Sequence, residues 1–170
     1  NIIAVIKGTK PGKAILLSAH YDSQPNTPGA ADDGVGVVAM LETAGAVKAM
    51  PPLQNDIIFL FTDGEEEGLF GAKAFIEQDS LFKNVKIAMN WDSRGNKGIT
   101  VTYETSPHNG WLIKQYAKGE KYPVANSMAY EISKRLPNDA DFTYFQKAKV
   151  TGFANGLLEG YSNYHTMNDS

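Results

Sequence analysis

Five residues of the chain have side chains that commonly bind metal ions, and each lies where an apolar run gives way to a loop. They are His20, Asp32, Glu66, Asp92 and His165. Two imidazoles and three carboxylates form a donor set that suits zinc, with manganese or cobalt as substitutes. The chain has one further histidine, His108. Together the five residues resemble a two-metal hydrolase site.

The acidic run Glu65 to Glu67 follows an apolar strand and Asp63, and it has two interpretations. In the first, the carboxylates lie at a helix start, where each is stabilised by about 0.3 to 1 kcal/mol. In the second, several negative charges crowd a desolvated place, and a bound cation relieves their repulsion. The residues alone leave both interpretations open.

Apolar runs alternate with longer amphipathic stretches, which is typical of an α/β sandwich. Strands are predicted over residues 2–6, 14–20, 56–62, 85–91, 98–103 and 150–154. Helices are predicted over residues 35–50, 69–78, 108–119, 126–136 and 139–148. Because no linker, repeat or low-complexity tract divides the chain, we expect a single domain over 1–170.

The predicted elements place several candidate ligands at one edge of the sheet. Open α/β sheets bind ligands at the carboxyl ends of their strands, where loops converge. His20, Glu66 and Asp92 each follow a predicted strand. We therefore expect them to meet, provided that neighbouring strands are aligned.

Composition excludes several other classes of protein. With 170 residues and 42% hydrophobic content, the chain can form a sizeable core. A net charge of -3 gives no field that attracts nucleic acid. No apolar run approaches the roughly 20 residues that cross a bilayer, and without cysteine there is no disulfide or thiolate site. The chain starts at Asn1 without a signal segment, so a processed or excised domain is expected, with truncation at the termini left open.

Five motifs occur in an order that resembles a known family: HYD, PGAADDGVG, EEEGLFG, NWDSRG and YHT. They are similar to those of the dinuclear-zinc aminopeptidases of metallopeptidase family 28, and the resemblance spans nearly the whole chain. It implies the zinc-dependent exopeptidase fold, a three-layer sandwich with a central mixed, mostly parallel β-sheet flanked by helices. It also implies an enzyme that uses two zinc ions to remove amino-terminal residues from peptides with a free amino terminus.

The resemblance also implies a role for each candidate ligand. Asp32 would bridge the two metals. His20 and Asp92 would complete one site, and Glu66 and His165 the other. His165 lies five residues before Ser170, and chain termini are poorly ordered unless they are docked. If the native sequence continues beyond Ser170, this chain is therefore expected to bind its second metal weakly.

The same resemblance makes Glu65 the general base and leaves Glu67 as a charge at a helix start. The base would take a proton from the attacking water and deliver it to the leaving amine. Tyr164 would donate to the developing oxyanion, as a tyrosine does in some family members. Asp22, two residues after the strand-borne His20, either accepts the second N–H of that ring or is an ordinary loop aspartate.

Other polar residues near the motifs receive structural or open interpretations. Family members have a cis peptide after the bridging aspartate, which would tilt Asp33 away from the metals, and Asp33 fits a helix cap. His108 is expected at the surface. Arg94 is left open between pairing with a carboxylate, contacting substrate and holding its loop. Asp141 lies in NDADFTYF, a segment similar to one that lines the family's cleft, while Asp139 is an equally good helix cap, and the residues do not decide between them.

Two alternative functions share this scaffold. One is a glutaminyl cyclase-like acyltransferase with one zinc, and the other is a non-catalytic binding relative that has lost ligands. The presence of His20 and Asp92 beside Glu66 and His165 favours the peptidase. A monomer is expected because no long insertion separates the motifs, and a secreted or periplasmic location is expected from family habit alone.

Overall fold

The computed structural model describes residues 1–10, 12–125, 127–133, 135 and 139–170. Within them the strands are β1 (Ile2–Ile6), β2 (Ala14–His20), β3 (Asp56–Thr62), β4 (Val85–Trp91), β5 (Lys97–Thr105) and β6 (Thr151–Glu159). The α-helices are α1 (Val35–Ala49), α2 (Phe70–Gln78), α3 (Gly110–Gly119), α4 (Ser127–Ser133) and α5 (Asp141–Lys147). Of the helix predicted over 126–136, residues 126, 134 and 136 lie outside the described residues.

The six strands form one mixed sheet in the order β1-β3-β2-β4-β6-β5. The four central strands run parallel, while β1 and β5 pair antiparallel at the two edges. The predicted mixed, mostly parallel sheet is therefore confirmed. In the described part of the chain, no helix is long and apolar enough to cross a membrane.

Strand β3 shows how helices come to cover both faces of the sheet. All of its residues are buried, and successive side chains point to opposite faces. Leu60 lies in the core cluster that contains Phe75 of α2 and Phe142 of α5. Phe59 lies in a second cluster with Met40 of α1. The three-layer α/β sandwich is confirmed by this packing.

Several predicted boundaries differ from those of the structure. Strand β6 starts one residue later than predicted and runs to Glu159, because its second half pairs antiparallel with β5. Helix α3 begins at Gly110 rather than at residue 108. His108 itself is exposed, as expected, and has a φ of 56°, which does not fit a right-handed helix.

Candidate metal centre

Parallel pairing brings the carboxyl ends of the central strands to one edge. His20 is the last residue of β2 and lies in register with Thr62, the last residue of β3. Asp92 directly follows β4, which pairs parallel with β2 on the other side. Glu66 lies in the turn after β3. The sheet thus places these three side chains around one point, as the sequence predicts.

Asp32 lies between the two histidines. Its Oδ1 is 3.1 Å from Nε2 of His20, and its Oδ2 is 3.1 Å from Nε2 of His165. The same nitrogen of His165 is 3.2 Å from Oε2 of Glu66. The Asp32 side chain is buried. One carboxylate therefore faces both imidazoles, which is the arrangement that a bridging ligand requires.

The five side chains form two groups that share Asp32. One ligand atom from each of His20, Asp32 and Asp92 lies within 4.8 Å of the others, and the same holds for Asp32, Glu66 and His165. Within the described residues, Oδ2 of Asp32 and Oε1 of Glu66 are buried and accept no hydrogen bond. Buried carboxylate oxygens that accept no hydrogen bond fit a bound cation. The donor types fit zinc.

The loop after β2 orients His20 and the acidic turn together. Nδ1 of His20 lies 2.9 Å from the carbonyl oxygen of Asp22 and 3.6 Å from its carboxylate. A proton on Nδ1 is thereby favoured, which leaves Nε2 facing Asp32. The carboxylate of Asp22 accepts the backbone N–H groups of Glu65 and Glu66, at 3.2 and 3.1 Å. Asp22 therefore both contacts His20 and fixes the backbone of the acidic turn, and the second role was not predicted from the sequence.

The acidic run lies in a turn that precedes α2. The N–H groups of Gly68 and Leu69 both donate to the carbonyl oxygen of Glu65. Helix α2 begins only at Phe70, after Leu69 in the left-handed conformation, and its first turn holds no acidic residue. The interpretation of Glu67 as a helix-start charge is therefore wrong. A left-handed residue between the run and the helix is not visible in the local pattern.

The crowding of carboxylates perturbs the titration of the site. Burial lowers the pKa of His20, but hydrogen bonds to Asp22 and Asp32 outweigh it and raise that pKa above its usual value. Burial and then the charge on Asp92 raise the pKa of Glu65 to about 9. Divalent cations beside these carboxylates would act in the opposite direction. The centre is thus electrostatically suited to positive charge.

Tyr164 and His165 lie side by side in the segment that follows β6. Their rings stack with centroids 3.7 Å apart, and the exposed ring of Tyr161 stacks on Tyr164 at 5.5 Å. Burial, followed by the charge on Asp32, raises the pKa of Tyr164. Its phenol therefore stays protonated at neutral pH and can donate a hydrogen bond.

Two contacts around the ligands involve residues that the sequence analysis missed. The backbone N–H of Asp32 donates to Oδ2 of Asp169 at 3.2 Å, and Asp169 is buried. The side-chain amide of Gln24 donates to Oε2 of Glu66 at 2.9 Å. The segment after His165 is therefore docked onto the Asp32 loop. No local pattern reveals these partners.

A cleft of about 270 Å³ opens onto the centre, and the residues that line it are Gln24, Glu65, Glu66, Gly68, Leu69, Asp92, Arg94, Asp139, Tyr164 and His165. The structure separates Asp139 from Asp141, and Asp139 does not cap α5, whose N-cap residue is Ala140. Asp139 is exposed and lines the cleft. Asp141 is buried at the first position of α5 and accepts a hydrogen bond from the hydroxyl of Thr62.

The start of α1 also differs from the prediction. The Asp32–Asp33 peptide bond is cis, as the resemblance implies. Gly34 precedes the helix, and no side chain caps it, so the predicted capping bond of Asp33 is absent. Asp33 is instead buried against the first turn of α1, where its carboxylate faces Gly36.

The whole chain, residues 1–170, matches the family model of peptidase family M28. The chain belongs to this family. It is 34% identical over 178 residues to endoplasmic reticulum metallopeptidase 1 of Mus musculus, and the match covers 100% of this chain and 20% of that protein. It is 33% identical over 174 residues to a vacuolar membrane protease of Schizosaccharomyces pombe, with 99% and 20% covered. This M28 chain thus spans about a fifth of the length of these relatives.

Solved structures show the same fold. A zinc aminopeptidase from Bacillus subtilis matches with a TM-score of 0.75 and 23% identity, covering 99% of this chain and 43% of that one. A glutaminyl cyclase from an Acidobacteriales bacterium matches with a TM-score of 0.74 and 22% identity, covering 99% and 64%. At this identity the likeness shows the fold, which a peptidase and a cyclase share.

The comparison corrects the expected location. The prediction of a secreted or periplasmic location is wrong. The relatives that match nearly all of this M28 chain are named for the endoplasmic reticulum and the vacuolar membrane. The expectation was drawn from family habit alone, and no residue of the chain supported it. Membership of a peptidase family supports a hydrolase that acts on peptides.

Proposed function

We propose that this M28 chain is a zinc-dependent aminopeptidase that uses two zinc ions. The observation that supports this most directly is the pair of three-residue ligand groups that share Asp32. His20 and Asp92 would complete one zinc site, and Glu66 and His165 the other. Two zinc ions bound there would polarise the scissile carbonyl and lower the pKa of the attacking water.

Glu65 is the proposed general base. It lines the same cleft as Glu66, Asp92 and His165, and it is absent from both ligand groups. Its carboxylate takes a proton from the water as the new C–O bond forms. It then returns the proton to the leaving amine as the C–N bond breaks. Asp22 supports this role by holding the backbone N–H of Glu65.

Tyr164 is the proposed donor to the oxyanion. Its phenol lines the cleft next to His165 and remains protonated at neutral pH. A donor that is already in place stabilises the charge that develops on the carbonyl oxygen without reorganising. The stacked ring of His165 limits its movement.

A free amino terminus on the substrate is the third part of the proposal. The carboxylate of Asp139 lines the cleft and belongs to neither ligand group, so its charge remains available to favour an ammonium group. An acylated amine lacks this positive charge. The proposed substrates are therefore peptides with an unblocked amino terminus.

The glutaminyl cyclase-like alternative also fits the fold. It would require one zinc ion per chain and would cyclise amino-terminal glutamine. The presence of both ligand groups supports the two-metal peptidase over this alternative. Measuring zinc content together with glutamine cyclisation separates the two.

The decisive test compares wild type with Glu65→Gln. We expect both proteins to bind two zinc ions, measured by elemental analysis. Hydrolysis of aminoacyl nitroanilides should fall by about 10² to 10⁴ in the variant, because the proton acceptor is lost. An N-acetylated nitroanilide should be a poor substrate for both.

Glu67→Gln is the matched control, since Glu67 is an exposed neighbour in the same turn and does not line the cleft. It should keep wild-type turnover. Equal turnover in wild type and Glu65→Gln would remove the proposed base. One zinc per chain with cyclisation of glutamine would replace the peptidase by the cyclase.

A further inference from the structure

Arg94 is a positive charge in a cleft that is otherwise acidic. Arg94 lies two residues after Asp92 and lines the cleft. Among the described residues that line the cleft, there is no lysine and no other arginine. Arginine stays charged at any physiological pH. The proposed hydrolysis gives this residue no task, because neither ligation nor proton transfer requires it.

In the described part of the chain, no hydrogen bond or ion pair joins the Arg94 guanidinium to another residue. Its Nε is buried and makes no hydrogen bond, and no ion pair joins Arg94 to a carboxylate of the described residues. An unpaired buried donor costs free energy that a ligand can recover.

The backbone around Arg94 is held firmly against β6. Its N–H donates to the carbonyl oxygen of Leu157 at 3.0 Å, and the N–H of Leu157 donates back to the hydroxyl of Ser93 at 3.0 Å. A Cβ on Gly95 would clash with the carbonyl oxygen of Glu159, so the chain passes very close to β6 here. The side chain of Arg94 therefore projects from a fixed base, which favours a binding role.

Charge balance indicates which ligand suits this position. Two divalent cations would offset the three ligand carboxylates together with Glu65. Asp139 is exposed and lies at the cleft as well. Arg94 is then a positive group in the cleft that no ligand carboxylate neutralises. A guanidinium matches the planar geometry of a carboxylate and can bind it through two parallel hydrogen bonds.

We propose that Arg94 binds the C-terminal carboxylate of a dipeptide, so that this M28 chain prefers dipeptides to longer peptides. The inference depends on the proposed aminopeptidase activity and narrows its substrate class. In a dipeptide, the carboxylate lies one residue beyond the scissile bond, and each added residue moves it by up to about 3.5 Å. Arg94 lines the same cleft of about 270 Å³ as the candidate ligands Asp92 and His165, so a carboxylate bound to Arg94 lies close to the metal centre. A short substrate such as a dipeptide fits this arrangement.

The test compares leucyl-glycine with its C-terminal amide. We expect wild type to have a kcat/KM about 10 to 100 times higher for the free dipeptide, because the charged hydrogen bonds are lost with the amide. In Arg94→Met this ratio should fall to about 1, mainly through a higher KM for the dipeptide. Arg94→Lys should retain part of the preference, since it keeps the charge without the planar pair of donors.

Lys86→Met is the matched control, because Lys86 is an exposed cation on β4 outside the cleft. It should keep the wild-type ratio. A ratio near 1 in wild type, or an unchanged preference in Arg94→Met, would overturn the role of Arg94 while leaving the aminopeptidase in place.

Calorimetric binding separates the two proposals. Zinc-loaded Glu65→Gln should bind leucyl-glycine about 10 to 100 times more tightly than its amide. The double variant Glu65→Gln with Arg94→Met should bind the two equally. If wild type hydrolyses no peptide but this selective binding persists, the aminopeptidase fails and the carboxylate site stands. Equal binding of acid and amide contradicts the carboxylate site.

Discussion

At the scale of single residues, the surroundings of Tyr164 decide what its hydroxyl can do. The ring is stacked between His165 and Tyr161. Burial and the negative charge of Asp32 both raise its pKa, so the phenol is a hydrogen-bond donor over the whole neutral range. A fixed, protonated donor beside a candidate ligand suits stabilisation of a negative charge that appears during the reaction.

Tyr164→Phe removes this donor and keeps the ring. We expect kcat for an aminoacyl nitroanilide to fall by about 10² to 10³, as with other oxyanion donors, with a smaller change in KM. Steady-state kinetics at saturating zinc measure both. Tyr161→Phe provides the control, because Tyr161 stacks on the same ring but is exposed. An equal loss in both variants would point to packing rather than to donation.

The candidate ligands were predictable one by one, and their supporting residues were not. His20, Asp92 and Glu66 follow apolar strands, so residue type and position suffice to find them. Asp169 contacts Asp32 across 137 positions of sequence, and Gln24 contacts Glu66 across 42. An aspartate or a glutamine in a loop has no local signature for such a contact. These supporting roles emerge only when the fold brings distant loops together.

At the scale of elements, the centre is assembled from loops that are tied to one another. Asp22 joins the loop after β2 to the acidic turn after β3. Asp169 joins the segment after β6 to the Asp32 loop through two contacts, since its carbonyl oxygen also accepts the N–H of Ala30. Asn96 holds the same segment by donating to the carbonyl oxygens of Asn168 and Ser170. The position of His165 therefore depends on bonds made after it in sequence.

Asp169→Ala should loosen this connection. We expect zinc affinity to fall by about 10 to 100 times, as with other partners that orient metal ligands, because Asp32 loses a fixed backbone. Competition with a chromophoric chelator measures the affinity, and circular dichroism checks folding.

Asn168→Ala is the neighbouring control, since Asn168 is exposed and accepts from Asn96 through its carbonyl oxygen. Its zinc affinity should match that of wild type. Unchanged affinity in Asp169→Ala would show that the Asp32 loop holds its shape without this bond.

The sequence predicted the presence of the strands better than it predicted where they end. Apolar runs identify β2, β3 and β4 because the strands of a parallel sheet are covered on both faces. The second half of β6 is formed by pairing with β5, a partner that its own residues do not specify. The acidic turn before α2 was misplaced for a similar reason, since the left-handed Leu69 is not a residue that predicts this conformation.

At the scale of the whole molecule, the fold concentrates negative charge at one edge of the sheet. Asp32, Asp33, Asp92 and Asp141 are all buried. Burial raises the pKa of Asp141 to about 6 and that of Asp33 well above its usual value. Carboxylates that resist ionisation in the folded chain lower its stability as pH rises through their range. Bound cations would offset this cost, so metal binding and folding are coupled.

Zinc should therefore stabilise the fold, and more strongly at higher pH. Because the pKa of His20 is raised, the contact of protonated His20 with Asp32 stabilises the zinc-free protein at low pH. This stabilisation is lost as the pH rises through that pKa. Zinc must displace this proton, so its affinity falls as pH falls. The zinc concentration is set at about 100 times the Kd measured at pH 8 and is kept the same at both pH values. The gain in Tm should then be roughly 5 to 10 °C at pH 8 and smaller at pH 6, where zinc binds more weakly. Thermal unfolding followed by circular dichroism, with zinc and with chelator, measures both gains.

His165→Asn and His108→Asn form the matched pair for this experiment. His165 faces Asp32 and Glu66, so its loss should reduce the zinc-dependent gain at pH 8. His108 is exposed and belongs to neither ligand group, so its loss should leave the gain unchanged. Equal gains in the two variants would contradict the assignment of His165. A gain that increases toward acid pH would contradict the coupling, because protonated imidazoles cannot bind the metal.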